Sequence, residues 1–133
     1  MNISRTTLAF LFVLTVSQLS ASDSSVGYSH MQNGKFKQAY QEYRNLAERG
    51  YPIYMNVIAD MHQKGQGVPK SNMMAHIWYS LSAAQGNDEG INGKSELKKQ
   101  LNEQQLSDSL YIAKEYAKDY LEPYAVSWSL DTN

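Results

Sequence analysis

Several residues in this chain have the type and spacing to do chemistry. The stretch KGQGVPKSN, residues 64–72, closes a glycine-rich segment with Lys70-Ser71, the pairing with which a phosphate-binding loop holds a nucleotide. Met61-His62 on one side of it and Met73-Met74-Ala75-His76 on the other offer thioether and imidazole, a ligand set that suits copper. Asp60 and His62, two residues apart, are the residue types of an acid–base pair.

Each reading meets a physical obstacle. The phosphate loop G-x-x-x-x-G-K-[ST] needs Gly directly before Lys, whereas Pro69 stands there and removes a backbone N–H where donors are required. Such a loop also follows a strand, and the residues before Gly65 read as helix. Two residues apart on a helix, Asp60 and His62 do not share a face. There is no H-E-x-x-H and no nucleophile elbow, so no catalytic residue, cofactor or metal is expected. Met61, His62, Met73 and His76 are expected as core filling, with copper carriage as the alternative. The loop is expected to be a turn: Gly65 and Gly67 let the chain leave one helix, Pro69 stops its continuation, and Ser71 caps the next.

The elements around these residues follow from periodicity. A shift of 36 residues carries Ala39, Tyr43, Ala47 and Gly50 onto Ala75, Tyr79, Ala83 and Gly86. Small residues one turn apart let a neighbouring helix approach, Tyr fills the space between them, and the glycine ends the helix. Between the matched helices, Pro52 suits a first turn, and Ile53, Tyr54, Val57, Ile58 and Met61 recur at helical spacing. Downstream, Asn102 and Gln105 have capping-box spacing before a stripe of Leu106, Leu110, Ala113, Ala117, Tyr120, Leu121 and Tyr124, which Pro123 interrupts. A weaker helix is expected from about Asp88 to Leu101, because Gly90 and Gly93 lower its propensity, and a short one from Ser24 to Gln32. Gln38, Gln41, Glu42 and Asn45 of the first matched helix become Met74, Ile77, Trp78 and Leu81 in the second. The helix after Ser71 is thus apolar nearly all round and is expected at the centre of the stack.

Composition narrows the class. The 133 residues suit one domain, and a formal charge of -1 with scattered Lys and Arg supplies no basic field for nucleic acid. Arg5, the run Leu8–Val16 and then small polar residues have the order of a secretory signal peptide, expected over residues 1–22. Nine apolar residues rise only ~14 Å as a helix, against a hydrocarbon core of ~30 Å, so a membrane span is not expected after cleavage. The chain has no cysteine, hence no disulfide and no lipid attachment through one. A periplasmic or secreted protein is expected, with its domain over residues 23–124 and a tail over 125–133.

The stretch from Gly50 to Gly86 resembles one complete Sel1-like repeat, a relative of the tetratricopeptide repeat. The family's pattern of helix, G-x-G-V turn, cap, then A-x-x-W-Y-x-x-A-A-x-G is met by Gly65, Gly67, Val68, Ala75, Trp78, Tyr79, Ala83, Ala84 and Gly86. Ser71 replaces the usual Asp, Tyr54 a small residue, Ala59 a Gly and His62 a Tyr. The segment 33–50 resembles the second half of a preceding unit, and the chain after Gly86 a degenerate final one. The resemblance implies an all-α fold, a short right-handed αα-hairpin solenoid of about five to six helices, that acts by holding protein partners and is a monomer or weak oligomer. It also implies that the polar stripe Asn56, Asp60, Gln63 and its counterpart Asn92, Glu96, Lys99 line a concave binding face. The leading expectation is an exported scaffold for another envelope or secreted protein. The alternative is a small envelope enzyme or cell-wall ligand binder.

Overall fold

The computed structural model describes residues 24–122, and every regular element among them is a helix: α1 (24–32), α2 (Phe36–Glu48), α3 (Pro52–Lys64), α4 (Asn72–Ala84), α5 (Asp88–Lys98) and α6 (Glu103–Tyr120). The expected leader, Tyr124 and the tail with Trp128 lie outside the described residues. Local chemistry sets the helix ends. Pro52 occupies the first turn of α3, where its missing N–H costs nothing. Ser71 Oγ accepts the Met74 N–H at 3.1 Å to start α4, and Asn102 and Gln105 form the reciprocal box that starts α6.

The 36-residue shift holds in the backbone, for it carries α2 onto α4 at both ends and Pro52 onto Asp88. It also carries one turn onto the other. Gly50 N–H donates to the Ala47 carbonyl at 2.9 Å, and Gly86 N–H donates to the Ala83 carbonyl at the same length. Both glycines have positive φ, as a left-handed helix exit requires.

From α2 to α5 each helix packs on the next in chain order, and α6 returns to pack on α4. The central position of α4 is as expected: it packs on α3, α5 and α6, and every residue from Ala75 to Ser82 is buried. Trp78 fills the middle, its ring stacked on Tyr120 with centroids 5.9 Å apart and tilted against Tyr116. Tyr54, bulky where a small residue was the pattern, stacks on Tyr43 of α2 at 5.9 Å and meets Tyr51 edge to face.

Two details differ from the periodicity reading. On α6 the deepest positions are Ser109, Ala113 and Ala117, while Leu106 and Leu110 are only half-buried. The serine is inside because His76 of α4 lies across from it, 2.9 Å away. Helix α5 ends at Lys98, before Leu101, and its glycines are the reason it packs at all. A Cβ on Gly90 would stand 2.7 Å from the Ala83 nitrogen and the Ser82 side chain, and one on Gly93 2.7 Å from the Tyr79 ring. The residues that weaken α5 as an isolated helix let it lie against α4.

Gly90→Ala is therefore expected to reverse the usual sign. In an exposed helix that exchange stabilises by up to about 1 kcal/mol. Here the obstacle is backbone, so a net loss of about 1–3 kcal/mol is expected as α5 is pushed off α4. Thermal unfolding beside Ser95→Ala, an exposed site on the same helix, checks it; an unchanged or higher midpoint for Gly90→Ala would contradict the close seat.

Candidate functional site

The loop that suggested phosphate is a structural joint. Gly65 takes φ +67 as the cap of α3, Gln66 N–H donates to the Met61 carbonyl at 2.9 Å, and Ser71 N–H closes the loop on the His62 carbonyl at 2.9 Å. Gly67, φ +75, lies so close to the start of α2 that a Cβ would collide with the Phe36 carbonyl. Ser71 Oγ is committed to its cap and Lys70 is exposed.

The two buried histidines point into different seams. His62 Nε2 is 3.2 Å from the Tyr40 hydroxyl of α2, the rings meeting edge to face at 5.6 Å. His76 Nδ1 meets Ser109 of α6. Burial lowers the pKa of both, to about 4 for His76, where Lys94 and Lys98 add to the effect. Among the described residues, no three His, Cys, Asp or Glu side chains gather as a metal would need.

The six residues expected on a concave face separate in the structure. Asn56 is a correction: only 2% exposed, it cannot present its amide to a partner. Its Nδ2 donates to Asn87 Oδ1 at 2.8 Å and Glu89 Oε2 at 3.1 Å, and Asn87 in turn caps α5 through the Gly90 N–H. Asn56 thus ties α3 to the start of α5. Asp60 and Gln63 share the proton of the Tyr79 hydroxyl, which burial and then the Asp60 carboxylate hold well above its ordinary pKa, so it remains a donor. Asn92, Glu96 and Lys99 are exposed on α5, with Glu96 and Lys99 paired at 2.7 Å. In solvent that pair contributes at most about 1 kcal/mol.

Of these six, Asp60 borders a groove of about 270 Å³ between α1 and α3. Tyr43, Val57 and Met61 form its floor, Tyr28 and Met31 of α1 one wall, and Asp60, Lys64, Gln32 and Gln66 the polar rim. Tyr28 is 61% exposed, and Lys64 stands 3.9 Å from Asp60, close enough to share its charge with a ligand. The sequence reading missed Tyr28, Met31, Val57 and Lys64 as site residues. Val57, Met61 and Lys64 at i, i+4 and i+7 were the available signal on α3, but the opposite wall belongs to the short α1. A second, polar cleft of about 390 Å³ lies where the α3–α4 and α5–α6 loops meet, crossed by a 3.0 Å bond from Asn72 to Gln100.

No protein-family model matches the chain, and no curated protein does. Among solved structures, it is similar to a protective antigen of uropathogenic Escherichia coli strains that displays an SLR, or Sel1-like repeat, fold. The likeness has a TM-score of 0.69 at 19% identity, over 85% of this chain and 27% of that one, so this chain spans about a quarter of the antigen's length. No helix among the described residues is long and apolar enough to cross a membrane. The architecture is accordingly an all-helical repeat fold of the Sel1-like kind.

Proposed function

We propose that the protein is an exported interaction scaffold that holds an extended segment of another envelope or secreted protein in the groove between α1 and α3. The observation that carries this reading is the groove itself: an apolar floor reachable from solvent, bordered by amides and by an acid and a base. A groove of this size takes one or two apolar side chains of a strand, while Gln32 and Gln66 offer donors and acceptors to its backbone. The exposed aromatic Tyr28 offers large contact area at low entropic cost, the property that makes Tyr frequent at interfaces. Export rests on the leader-like order of Arg5 and Leu8–Val16.

The test avoids residues that also hold the fold, which excludes Asn56 and Asp60. Peptides selected from a displayed library against the chain from residue 23 are expected to lose affinity about ten-fold on Tyr28→Ala and several-fold on Lys64→Ala, at unchanged thermal midpoints. Tyr111→Ala, equally exposed but on α6, is expected to leave binding alone. Titration by calorimetry reads all three, and peptides insensitive to Tyr28 and Lys64 would place the binding surface elsewhere.

A further inference from the structure

His76 sits fully buried in the seam between α4 and α6, and its neighbour determines which nitrogen carries the proton. The Ser109 hydroxyl has one hydrogen, which it donates to the Leu106 carbonyl at 2.8 Å. Its oxygen therefore accepts from His76 Nδ1–H. That leaves Nε2 as a bare lone pair, enclosed and without a hydrogen-bond partner. A proton arriving there would find no acceptor and would put a cation in a dry seam.

Nothing around it would offset that cation. Lys94 and Lys98 of α5 are the charges that act on His76, and both oppose a further positive charge. Helix α4 carries no charged side chain of its own. The carboxylates of Asp60 on α3 and Asp108 on α6, bonded to Tyr79 and Gln104, keep their charge but are not among the groups that act on His76.

We propose that the docking of α6 on α4 is acid-sensitive, with His76 as the group that releases it. Protonated at Nε2, the imidazolium leaves the seam for water and α6 separates, while α2, α3 and α4 keep their packing. The element that yields is α6 because it ends a linear stack. It rests mainly on α4 and touches α2 through Tyr120, whose hydroxyl is 3.3 Å from Glu48, with Tyr116 near Tyr40. Beside His76 its innermost side chains, Ser109, Ala113 and Ala117, are small and bury little apolar area each, and its ring contacts to Trp78, from Tyr116 and Tyr120, lie about two to three turns beyond Ser109. In stacked repeats an end element opens without the rest.

The sign follows from the direction of the shift. His76 is held down at about 4, against 6.5 in an unfolded or released segment. The stabilisation is thus complete above pH 6.5 and is lost as pH falls from there to about 4. His62, the other buried histidine, lies between α3 and α2, so an opening driven by it would begin at α2.

Hydrogen exchange read by mass spectrometry on the full chain, from pH 7.5 to 4 and corrected for intrinsic rates, tests the proposal. Protection of α6 is expected to fall on the order of 100-fold across the window, as a group held at about 4 against 6.5 dictates, with α2 to α4 little changed. His76→Asn, which keeps an N–H near the Nδ1 position without a titrating nitrogen, is expected to hold α6 protection level. The proposal fails if α6 and α2 lose protection together, if α6 stays protected to pH 4, or if His76→Asn shows the same loss. Should that variant not fold, wild-type ring-proton NMR decides: the His76 midpoint must coincide with α6 opening, and separate midpoints overturn the proposal.

Discussion

Trp78→Ala is expected to lower the free energy of unfolding by about 3–5 kcal/mol, the range for emptying a buried Trp or Phe site. The indole is fully buried at the centre of α4 and is covered by Tyr116 and Tyr120, so α6 cannot collapse into the space without giving up its own ring contacts. Against a total of about 5–15 kcal/mol for a domain of ordinary stability, that loss removes a large part of the margin. Trp78→Phe should cost far less, about 1 kcal/mol. It keeps an aromatic face toward Tyr120 and removes an indole N–H that is buried with no acceptor. Urea unfolding followed by far-UV circular dichroism checks both. The expected result is a lower midpoint at unchanged slope, with alanine well below phenylalanine; equal midpoints would mean that the ring stack contributes little.

The second large effect is expected at Gly67→Val. A residue with a Cβ pays about 1–2 kcal/mol for the left-handed region, and a β-branched one is a rarer occupant still. Position 67 adds a tertiary obstacle, since the new Cβ would be driven against the Phe36 carbonyl at the head of α2. The α3–α4 loop would have to lift off α2, for a total of about 2–4 kcal/mol. Two comparisons separate the causes. Gly86→Ala, φ +77 with nothing within 4 Å of the added Cβ, should show the backbone part alone, and Lys70→Ala should show almost nothing. If Lys70→Ala were the damaging one, the turn reading of KGQGVPKSN would be wrong.

Much of this architecture was legible in the residues, and what escaped did so for physical reasons. The 36-residue register, the caps at Ser71 and Asn102 and the buried station of α4 depend on local chemistry and side-chain periodicity, which one sequence displays. Asn56 misled because an amide is equally at home on a surface or inside a hydrogen-bonded joint. Its partners Asn87 and Glu89 come 31 and 33 residues later, and no local pattern announces them. Gly90 and Gly93 misled in the opposite direction: propensity counts them against a helix, while packing demands them. Ser109 broke an apolar stripe because His76 waits across the seam. The groove was the least legible feature, being assembled from α1, α2 and α3, none of which carries the whole of its lining.

The near-parallel stack of Trp78 on Tyr120, inclined by 7°, has a spectroscopic consequence. Two aromatic transitions held at fixed geometry in an asymmetric surrounding couple, and they should give the protein a near-ultraviolet dichroic band that vanishes when the rings part. Since Trp128 is the other indole in the chain, Trp128→Phe would assign tryptophan emission to one site, with Tyr120 as a near neighbour able to pass it excitation. The α4–α6 seam thus carries its own optical gauge, readable without a label.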